Sequence, residues 1–262
     1  MMKFRSLFTS ALLVATLSSC SLFNQEEDKN PFEGVKAKPL YDQAQQALSK
    51  GEYDSAAKRF EALDAMYPFS KYAEPADLSL IYAYYQNEEY PSAAAAAERY
   101  IHLYPSAAHV DYAYYMRGLA NFQQNRVILA KVLPLNESWR DPGTQFESYT
   151  NFGELLQRYP HSYYYNNALQ RMVYLRNMFA QHEWNIANYY FDRKRYVAAA
   201  ERAQYLIKNY PQAPVVQYAL ILLYKSDKAL GLASAMQDIQ SVYAATYHQD
   251  ITTASIPSTI EW

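Results

Sequence analysis

A sixteen-residue stretch that occurs three times constrains the fold of this chain more than any other feature. Its copies lie at residues 53–68 (YDSAAKRFEALDAMYP), 90–105 (YPSAAAAAERYIHLYP) and 196–211 (YVAAAERAQYLIKNYP). In each copy, small residues stand three and four positions after the first tyrosine, a bulky residue stands ten positions after it, and Tyr-Pro ends the stretch. Apolar and small residues at this spacing predict an amphipathic helix, and the proline predicts where it ends. A fourth, degenerate copy ends at Tyr159-Pro160.

A second helical pattern precedes each copy, so the repeated unit is a pair of helices. In the first unit, Gly51 is placed to end the leading helix (helix A) before the Tyr53 copy (helix B) begins. The order of small residue, bulky residue and proline at Ala56, Phe60 and Pro68 resembles the 34-residue tetratricopeptide repeat. We therefore predict an all-α fold, a tetratricopeptide-like α-solenoid of about five helix pairs.

The extent of the repeats also predicts the boundaries between segments of the chain. We expect a signal peptide over residues 1–19, a flexible membrane tether over 20–38, the repeat domain over 39–250 and an irregular tail over 251–262. Beyond the clean copies, the pattern predicts helices at about 110–125, 145–159, 162–182, 184–193, 214–230 and 234–247. An insertion at 126–144 separates two of these helices, and insertions in repeat arrays map to loops and often to binding faces.

The first twenty residues are typical of an exported, lipidated protein. A basic n-region precedes an apolar core over residues 7–17 that is too short to span a membrane. The sequence LSSC at residues 17–20 resembles the bacterial lipobox, so Cys20 is the predicted lipidation site. The alternative is an ordinary secretory signal that happens to end near a cysteine. Ser21, rather than aspartate, follows Cys20, and by resemblance to enteric lipoproteins this implies anchoring in the periplasmic leaflet of the outer membrane.

Composition and motifs argue against several classes of protein. The net charge is −2 and the basic residues do not gather into a stripe, which disfavours nucleic acid as a partner. A single cysteine excludes an internal disulfide. The sequence has no G-x-S-x-G, no glycine-rich phosphate loop and no H-E-x-x-H, and its five histidines lack metal-ligand spacing. We therefore expect no enzyme activity, no cofactor and no metal site.

The 28 tyrosines suggest a half-buried surface, because tyrosine combines a large ring with a hydroxyl that can face water or a partner. If helices A line the inner face of the solenoid, counting back from the closing prolines predicts a peptide-binding groove. The predicted groove residues are Tyr41, Tyr82, Tyr85, Tyr112, Tyr115 and Phe122. Rings of this kind bind extended peptides that carry aromatic residues. The alternative is that about half of these rings pack between helices instead.

Several further motifs resemble those of one family. They are Tyr115-Met116-Arg117-Gly118-Leu119, Arg140-Asp141-Pro142, Arg158-Tyr159-Pro160-x-Ser162, Arg171-Met172-x-x-Leu175-Arg176-Asn177, and Tyr189-Tyr190 followed by Arg193 and Tyr196. Together with the lipobox and the repeats, they make the mature chain similar to the BamD family, the tetratricopeptide lipoproteins of the outer-membrane β-barrel assembly machinery. The segment before Arg140, LPLNESW, departs from the glycine- and aspartate-rich segment that is usual in the family.

The resemblance implies a periplasmic scaffold that is anchored by lipid to the outer membrane. Such a scaffold binds the barrel insertase BamA, holds BamC and other assembly-machinery lipoproteins, and recognises C-terminal signals of unfolded outer-membrane β-barrel proteins, which end in an aromatic residue. Arg202 matches the family's arginine that pairs with an acidic residue in the last periplasmic domain of BamA. A different class of function would be a tetratricopeptide lipoprotein that acts as a secretin pilotin or as a cell-wall or division coordinator. That class shares the anchor and repeats but lacks the Arg-Asp-Pro and Leu-Arg-Asn motifs.

Overall fold

The repeats form ten α-helices in the part of the chain that the computed structural model describes, residues 31–124, 138 and 142–257. The helices are α1 (Ala37–Ser49), α2 (Tyr53–Met66), α3 (Ala73–Gln86), α4 (Tyr90–Leu103), α5 (Val110–Gln124), α6 (Gly143–Arg158), α7 (Tyr165–Asp192), α8 (Tyr196–Asn209), α9 (Val216–Leu230) and α10 (Ala233–Tyr247). Each helix packs against the next one in the chain, and helices A of successive units also meet, α1 with α3, α3 with α5 and α7 with α9. This arrangement confirms the all-α, tetratricopeptide-like solenoid of five helix pairs.

The turn from helix A to helix B has the same backbone in four of the units. One residue adopts a left-handed conformation, with φ of +77° at Gly51, +61° at Glu88, +56° at Lys194 and +75° at Gly231. The next amide N–H then donates to the carbonyl five residues earlier, at 2.9–3.0 Å in all four turns. This is the Schellman motif, in which the left-handed residue satisfies carbonyls at the helix end.

The opposite turn, from helix B to the next helix A, is set by Tyr-Pro. α2, α4, α6 and α8 each end one residue before that tyrosine. The residue before a proline is sterically excluded from the helical region, and these tyrosines have φ between −128° and −137°. Their N–H groups still donate to the carbonyl four residues earlier, at 2.8–2.9 Å. The proline therefore stops the helix without leaving the last N–H unpaired.

Small residues on helices B allow the pairs to approach closely. The alanines three and four positions after the first tyrosine are buried in the first and fourth units, where they are Ala56, Ala57, Ala199 and Ala200. Around them the core consists of one cluster over the first two units, a second from α3 to α7, and a third from α7 to residue 256. The large, fully buried side chains Phe60, Phe152, Leu206 and Ile221 fill these clusters.

The prediction of two helices over residues 162–182 and 184–193 was wrong, since α7 continues without a break from Tyr165 to Asp192. The segment contains neither glycine nor proline, so nothing interrupts its hydrogen bonds. Residues up to Phe179 pack into the second core cluster, and residues from Ala180 onward pack into the third. The change in the apolar pattern near His182 therefore marks a change of packing partner rather than a helix end.

The described end of the segment that was expected to be a tether, residues 20–38, contacts the repeat domain. Phe32 and Val35 pack against the first core cluster, and the Tyr67 hydroxyl donates to the Val35 carbonyl at 2.8 Å. At the other end, Ile251 is buried and Ile256 packs beside it, so residues 251–256 cover the last helix pair although they form no helix. The signal peptide, Cys20, most of the insertion and residues 258–262 lie outside the described residues. Within the described ranges, no helix is both long and apolar enough to cross a membrane.

Candidate functional site

Tyr112, on α5, is the centre of a cluster of tyrosines on the helix-A side of the solenoid. Burial raises the pKa of its phenol, and the next contributions come from nearby phenols. These neighbours are Tyr164, Tyr82, Tyr115 and Tyr85. Two of them lie on α3, one on α5, and Tyr164 immediately precedes α7. Four of the six predicted groove residues, Tyr82, Tyr85, Tyr112 and Tyr115, are therefore brought together.

A cavity of about 260 Å³ opens at this cluster. Its lining residues are Leu48, Leu78, Ser79, Tyr82, His109, Tyr112 and Tyr164. These residues contribute apolar side chains, two phenols, one serine hydroxyl and one imidazole, and none of them is a carboxylate. Such a surface suits an apolar or aromatic side chain on a chain that also offers hydrogen-bonding groups.

Tyr115 lies beside the cavity and is held by Tyr164, which lines the cavity, and by Asn167 on α7. Its ring stacks on that of Tyr164 with the centroids 4.5 Å apart and the planes 16° apart. Its hydroxyl donates to Asn167 Oδ1 at 2.8 Å, and Arg171 Nε donates to the same oxygen at 2.8 Å. The ring is thereby fixed in place before any ligand arrives, which lowers the entropy cost of binding.

Tyr41 lies outside the cavity. Its ring packs against Tyr72, with centroids 5.3 Å apart, and against Phe60 at 6.2 Å. Gln45 Nε2 donates both to the Tyr41 hydroxyl at 3.0 Å and to Ser79 Oγ at 2.8 Å, which links α1 to α3. Tyr41 therefore extends the row of rings but does not line the cavity.

The two tyrosines on α3 face solvent to different degrees. Tyr82 is 38% exposed and makes an edge contact with Tyr53. Tyr85 is half-buried, contacts Tyr90 in the same manner, and accepts a long hydrogen bond of 3.4 Å from Gln123 Nε2. Tyr82 is thus the ring most available for a contact with a ligand.

Phe122 does not present its ring to the groove. It is only 6% exposed, and its ring meets Tyr174 edge-on at 5.9 Å. The guanidinium of Arg171 lies 5.0 Å from the Phe122 ring centroid. The count along α5 placed this position on the correct side of the helix, but α7 covers it. Arg171 takes the surface place that was predicted for Phe122.

Two of the lining residues that the sequence analysis missed lie in the helix B to helix A turns rather than on helices A. His109 precedes α5 and Tyr164 precedes α7. Counting positions along helices could not reach them. The run Tyr163-Tyr164-Tyr165 was the available signal for the second of these, since three adjacent rings beside a turn exceed what packing of one helix needs.

A larger cavity, of about 580 Å³, lies elsewhere and is lined by residues of α4, α5 and α6. The buried Arg117 is part of its wall and is already paired with Glu98 and Glu154. Its remaining lining is mostly amides, hydroxyls and carboxylates, with Phe146 at the edge. The smaller cavity is the better candidate for a binding site because several rings converge on it.

Arg202 lies on the exposed side of α8, far from these rings in the chain. Its Nη1 is 3.1 Å from Glu183 Oε2 on α7, and its side chain is 46% exposed while that of Glu183 is 13% exposed. The turn before α8 and the helix itself contain five basic residues and one acidic residue, in a chain of net charge −2. The expectation that basic residues do not gather is therefore wrong for this segment, because the balance of the whole chain conceals a local excess.

Comparison with known proteins places this arrangement in a family. The family model described as "YfiO: Outer membrane lipoprotein" matches residues 33–242. An outer membrane protein assembly factor BamD from Xylella fastidiosa is 37% identical over 221 residues, covering 84% of this chain and 75% of that protein. The protein of the same name from Neisseria meningitidis serogroup A is 33% identical over 261 residues, 98% of each chain.

Among solved structures, a tetratricopeptide repeat protein from Parabacteroides merdae is 13% identical over 79% of each chain, with a TM-score of 0.37. That likeness is too low to carry an argument, so the assignment depends on the sequence relatives. With the family model matching most of the chain and relatives above 30% identity along its length, this chain belongs to the BamD family of outer membrane protein assembly factors.

Proposed function

We propose that this chain is an outer membrane protein assembly factor that works as a lipid-anchored periplasmic scaffold. In this role Cys20 carries the acyl chains, the groove recognises the C-terminal signal of unfolded β-barrel proteins, and Arg202 contributes to binding of BamA. BamC and other lipoproteins of the machinery are the further partners that the family implies. The assembly role is supported by the names of the relatives.

The observation that carries the groove's role is the convergence on one cavity of rings from α3, from α5 and from the turn before α7. An extended peptide offers alternate side chains and a row of backbone polar groups. Tyr82 and the Tyr115–Tyr164 stack offer ring faces and edges to such a chain. Aromatic pairs favour such offset or edge geometries, which suits a signal that ends in an aromatic residue.

The test is binding of a peptide that copies the last ten or so residues of a β-barrel protein. Replacing Tyr82, Tyr85 and Tyr115 together by alanine should weaken binding by tenfold or more, on the order of 1–2 kcal/mol, because several ring contacts are removed. The control is the pair Tyr189→Ala and Tyr205→Ala, since both rings are exposed and neither lines the cavity. Circular dichroism and thermal melting of each variant establish that the fold is intact.

Unchanged peptide binding by a folded triple variant would defeat the groove's role. The assembly role has its own test in cells, where depletion should lower the amount of porins in the outer membrane and a pulldown from membranes should recover BamA. Normal porin levels without a BamA partner would favour a pilotin or cell-wall role instead.

A further inference from the structure

Arg171 is a cation at the end of the row of rings. It lies on α7, one helical turn from Asn167, and shares the Asn167 oxygen with the Tyr115 hydroxyl. Its guanidinium lies over the Phe122 ring, which supports it from below. The charge is close enough to act on Tyr115, where it offsets part of the rise in pKa that burial causes. Rings and an amide therefore hold Arg171 in one orientation beside the groove.

The surroundings of Arg171 favour a negatively charged ligand. Among the residues that the structure describes, no ion pair joins Arg171 to a carboxylate. This contrasts with Arg99, Arg117 and Arg202, each of which pairs with aspartate or glutamate. The cavity beside Tyr164, on which the Tyr115 ring stacks, has no carboxylate among the described residues of its lining. An arginine in this setting matches a planar anion that it can bind through two parallel hydrogen bonds.

We propose that Arg171 binds the free C-terminal carboxylate of the peptide, so that the groove reads the chain end as well as the aromatic residue. The inference rests on the proposed function, because it assumes that the groove takes a peptide terminus. With the carboxylate at Arg171, the last side chain lies beside the Tyr115–Tyr164 stack and the preceding residues run toward Tyr82 and the cavity. The site then distinguishes a terminus from an internal segment of the same sequence.

The experiment compares two ten-residue peptides of identical sequence ending in phenylalanine, one with a free carboxylate and one amidated, at constant ionic strength. The mature chain should bind the free acid on the order of tenfold more tightly, which is the usual effect of one charge-assisted pair. Arg171→Gln should reduce binding of the acid to that of the amide and leave the amide unchanged. Arg176→Gln is the matched control, because Arg176 lies on the same helix but donates to Gln212 and Asn177 instead.

Equal binding of acid and amide by the unmodified chain would overturn the inference while leaving the groove's role intact. Retention of the tenfold preference in Arg171→Gln would overturn it as well. Failure of the unmodified chain to bind either peptide would overturn the groove's role and this inference together. The comparison of acid with amide needs no variant, so loss of folding in Arg171→Gln would not obscure the result.

Discussion

Gly118 and Gly153 both lie inside helices, yet packing requires only one of them. A Cβ on Gly118 would lie 2.5 Å from Phe152 Cε1, closer than carbon atoms can approach. Ser148 Oγ also donates to the Gly118 carbonyl at 2.8 Å, which draws α6 onto α5 at this point. A Cβ on Gly153 would meet Met172 Cε at 3.6 Å, an ordinary contact. The close crossing of α5 and α6 therefore depends on the absence of a side chain at Gly118.

Replacing Gly118 by alanine should lower the free energy of unfolding by about 1–3 kcal/mol, because Phe152 must leave its place in the core. Replacing Gly153 by alanine should leave stability unchanged or raise it by up to about 1 kcal/mol, since alanine is the better helix former. Chemical denaturation of the two variants checks both values. Equal effects of the two substitutions would contradict the packing argument.

Asp77 is a buried carboxyl whose ionisation opposes folding. Burial raises its pKa to about 6, and the effect outweighs the attraction of Arg99, whose Nη2 donates to it at 2.8 Å. A carboxyl whose pKa is raised in the folded state favours folding while it is protonated. The contribution of Asp77 to the free energy of unfolding is therefore complete below about pH 4 and is lost as the pH rises through about 6. The pair with Arg99 thus holds α3 to α4 while part of the cost of burial remains.

Comparison of the unmodified chain with Asp77→Asn should reveal how the stability that Asp77 contributes depends on pH. The difference in their free energies of unfolding should fall by about 2 kcal/mol between pH 4 and pH 6.5, in the direction that disfavours the aspartate at higher pH. Asp54→Asn, which removes an exposed carboxylate of α2, controls for the change in net charge. Denaturation curves measured at several pH values provide the data, and parallel profiles for the unmodified chain and Asp77→Asn would contradict the interpretation.

Single positions show where reasoning from the sequence reached the site and where it failed. Tyr82, Tyr85, Tyr112 and Tyr115 could be placed because helical spacing fixes the face of a residue once one end of the helix is known. Phe122 could not, because whether that face is covered depends on a helix more than 40 residues later in the chain. Arg171 was noticed only as part of a motif, since its role depends on contacts with Asn167 and Phe122 that spacing does not reveal.

Between elements, the left-handed residue of the A-to-B turn is the feature that every described unit with such a turn repeats. Glycine adopts this conformation without strain, whereas a residue with a Cβ pays a cost there. Gly51 and Gly231 satisfy the requirement, but Glu88 and Lys194 do not. The solenoid therefore contains two turns whose left-handed residue is glycine and two turns in which a residue with a side chain occupies that strained position.

Replacing Gly51 by alanine should destabilise the protein by about 1 kcal/mol, and replacing Lys194 by glycine should stabilise it by up to about 1 kcal/mol. The opposite signs follow from one cause, the preference of this backbone position for glycine. Melting temperatures of the two variants, measured side by side, check the prediction. Stabilisation by Gly51→Ala would show that the turn adjusts to the side chain.

The helices were largely predictable, because Tyr-Pro and the glycine turn each end a helix for local steric reasons. The exception is α7, which contains neither of these end signals. Its first part packs into the second core cluster and its later part packs into the third, so its apolar face changes along its length. Its length follows from the packing of five helix pairs, which is not a local property. The docking of residues 32 and 35 onto the first pair escaped notice for the same reason, since two apolar residues in a polar segment form no period.

Across the solenoid, charge is distributed so that the segment around α8 is basic and the remainder is acidic. Outside residues 193–209 the chain has nineteen basic and twenty-five acidic residues. A local excess of positive charge accelerates association with an acidic surface, and the effect weakens as salt is added. Such a partner surface agrees with the proposal that Arg202 binds an acidic residue of BamA.

Arg202→Ala should therefore weaken binding of the purified periplasmic region of BamA by about tenfold, because an arginine at a desolvated interface contributes more than an exposed surface pair. Glu183→Gln should have a smaller effect, since it removes only the contact that orients Arg202. Lys58→Ala is the control, because Lys58 forms a comparable exposed pair with Asp54 on α2. Surface plasmon resonance at two salt concentrations measures the rates. Equal binding by Arg202→Ala and Lys58→Ala would remove Arg202 from the interface.

The unbroken course of α7 fixes a distance between two surfaces. Arg171 stands at the groove and Glu183 stands beside Arg202, both on this one helix. Twelve residues of α-helix rise about 18 Å, which about six residues of extended chain can span. Under the two proposals above, a β-barrel protein whose last residue is held at Arg171 would direct the residues of its final strand toward a partner bound at α8, and the length of α7 would set the distance between the two sites.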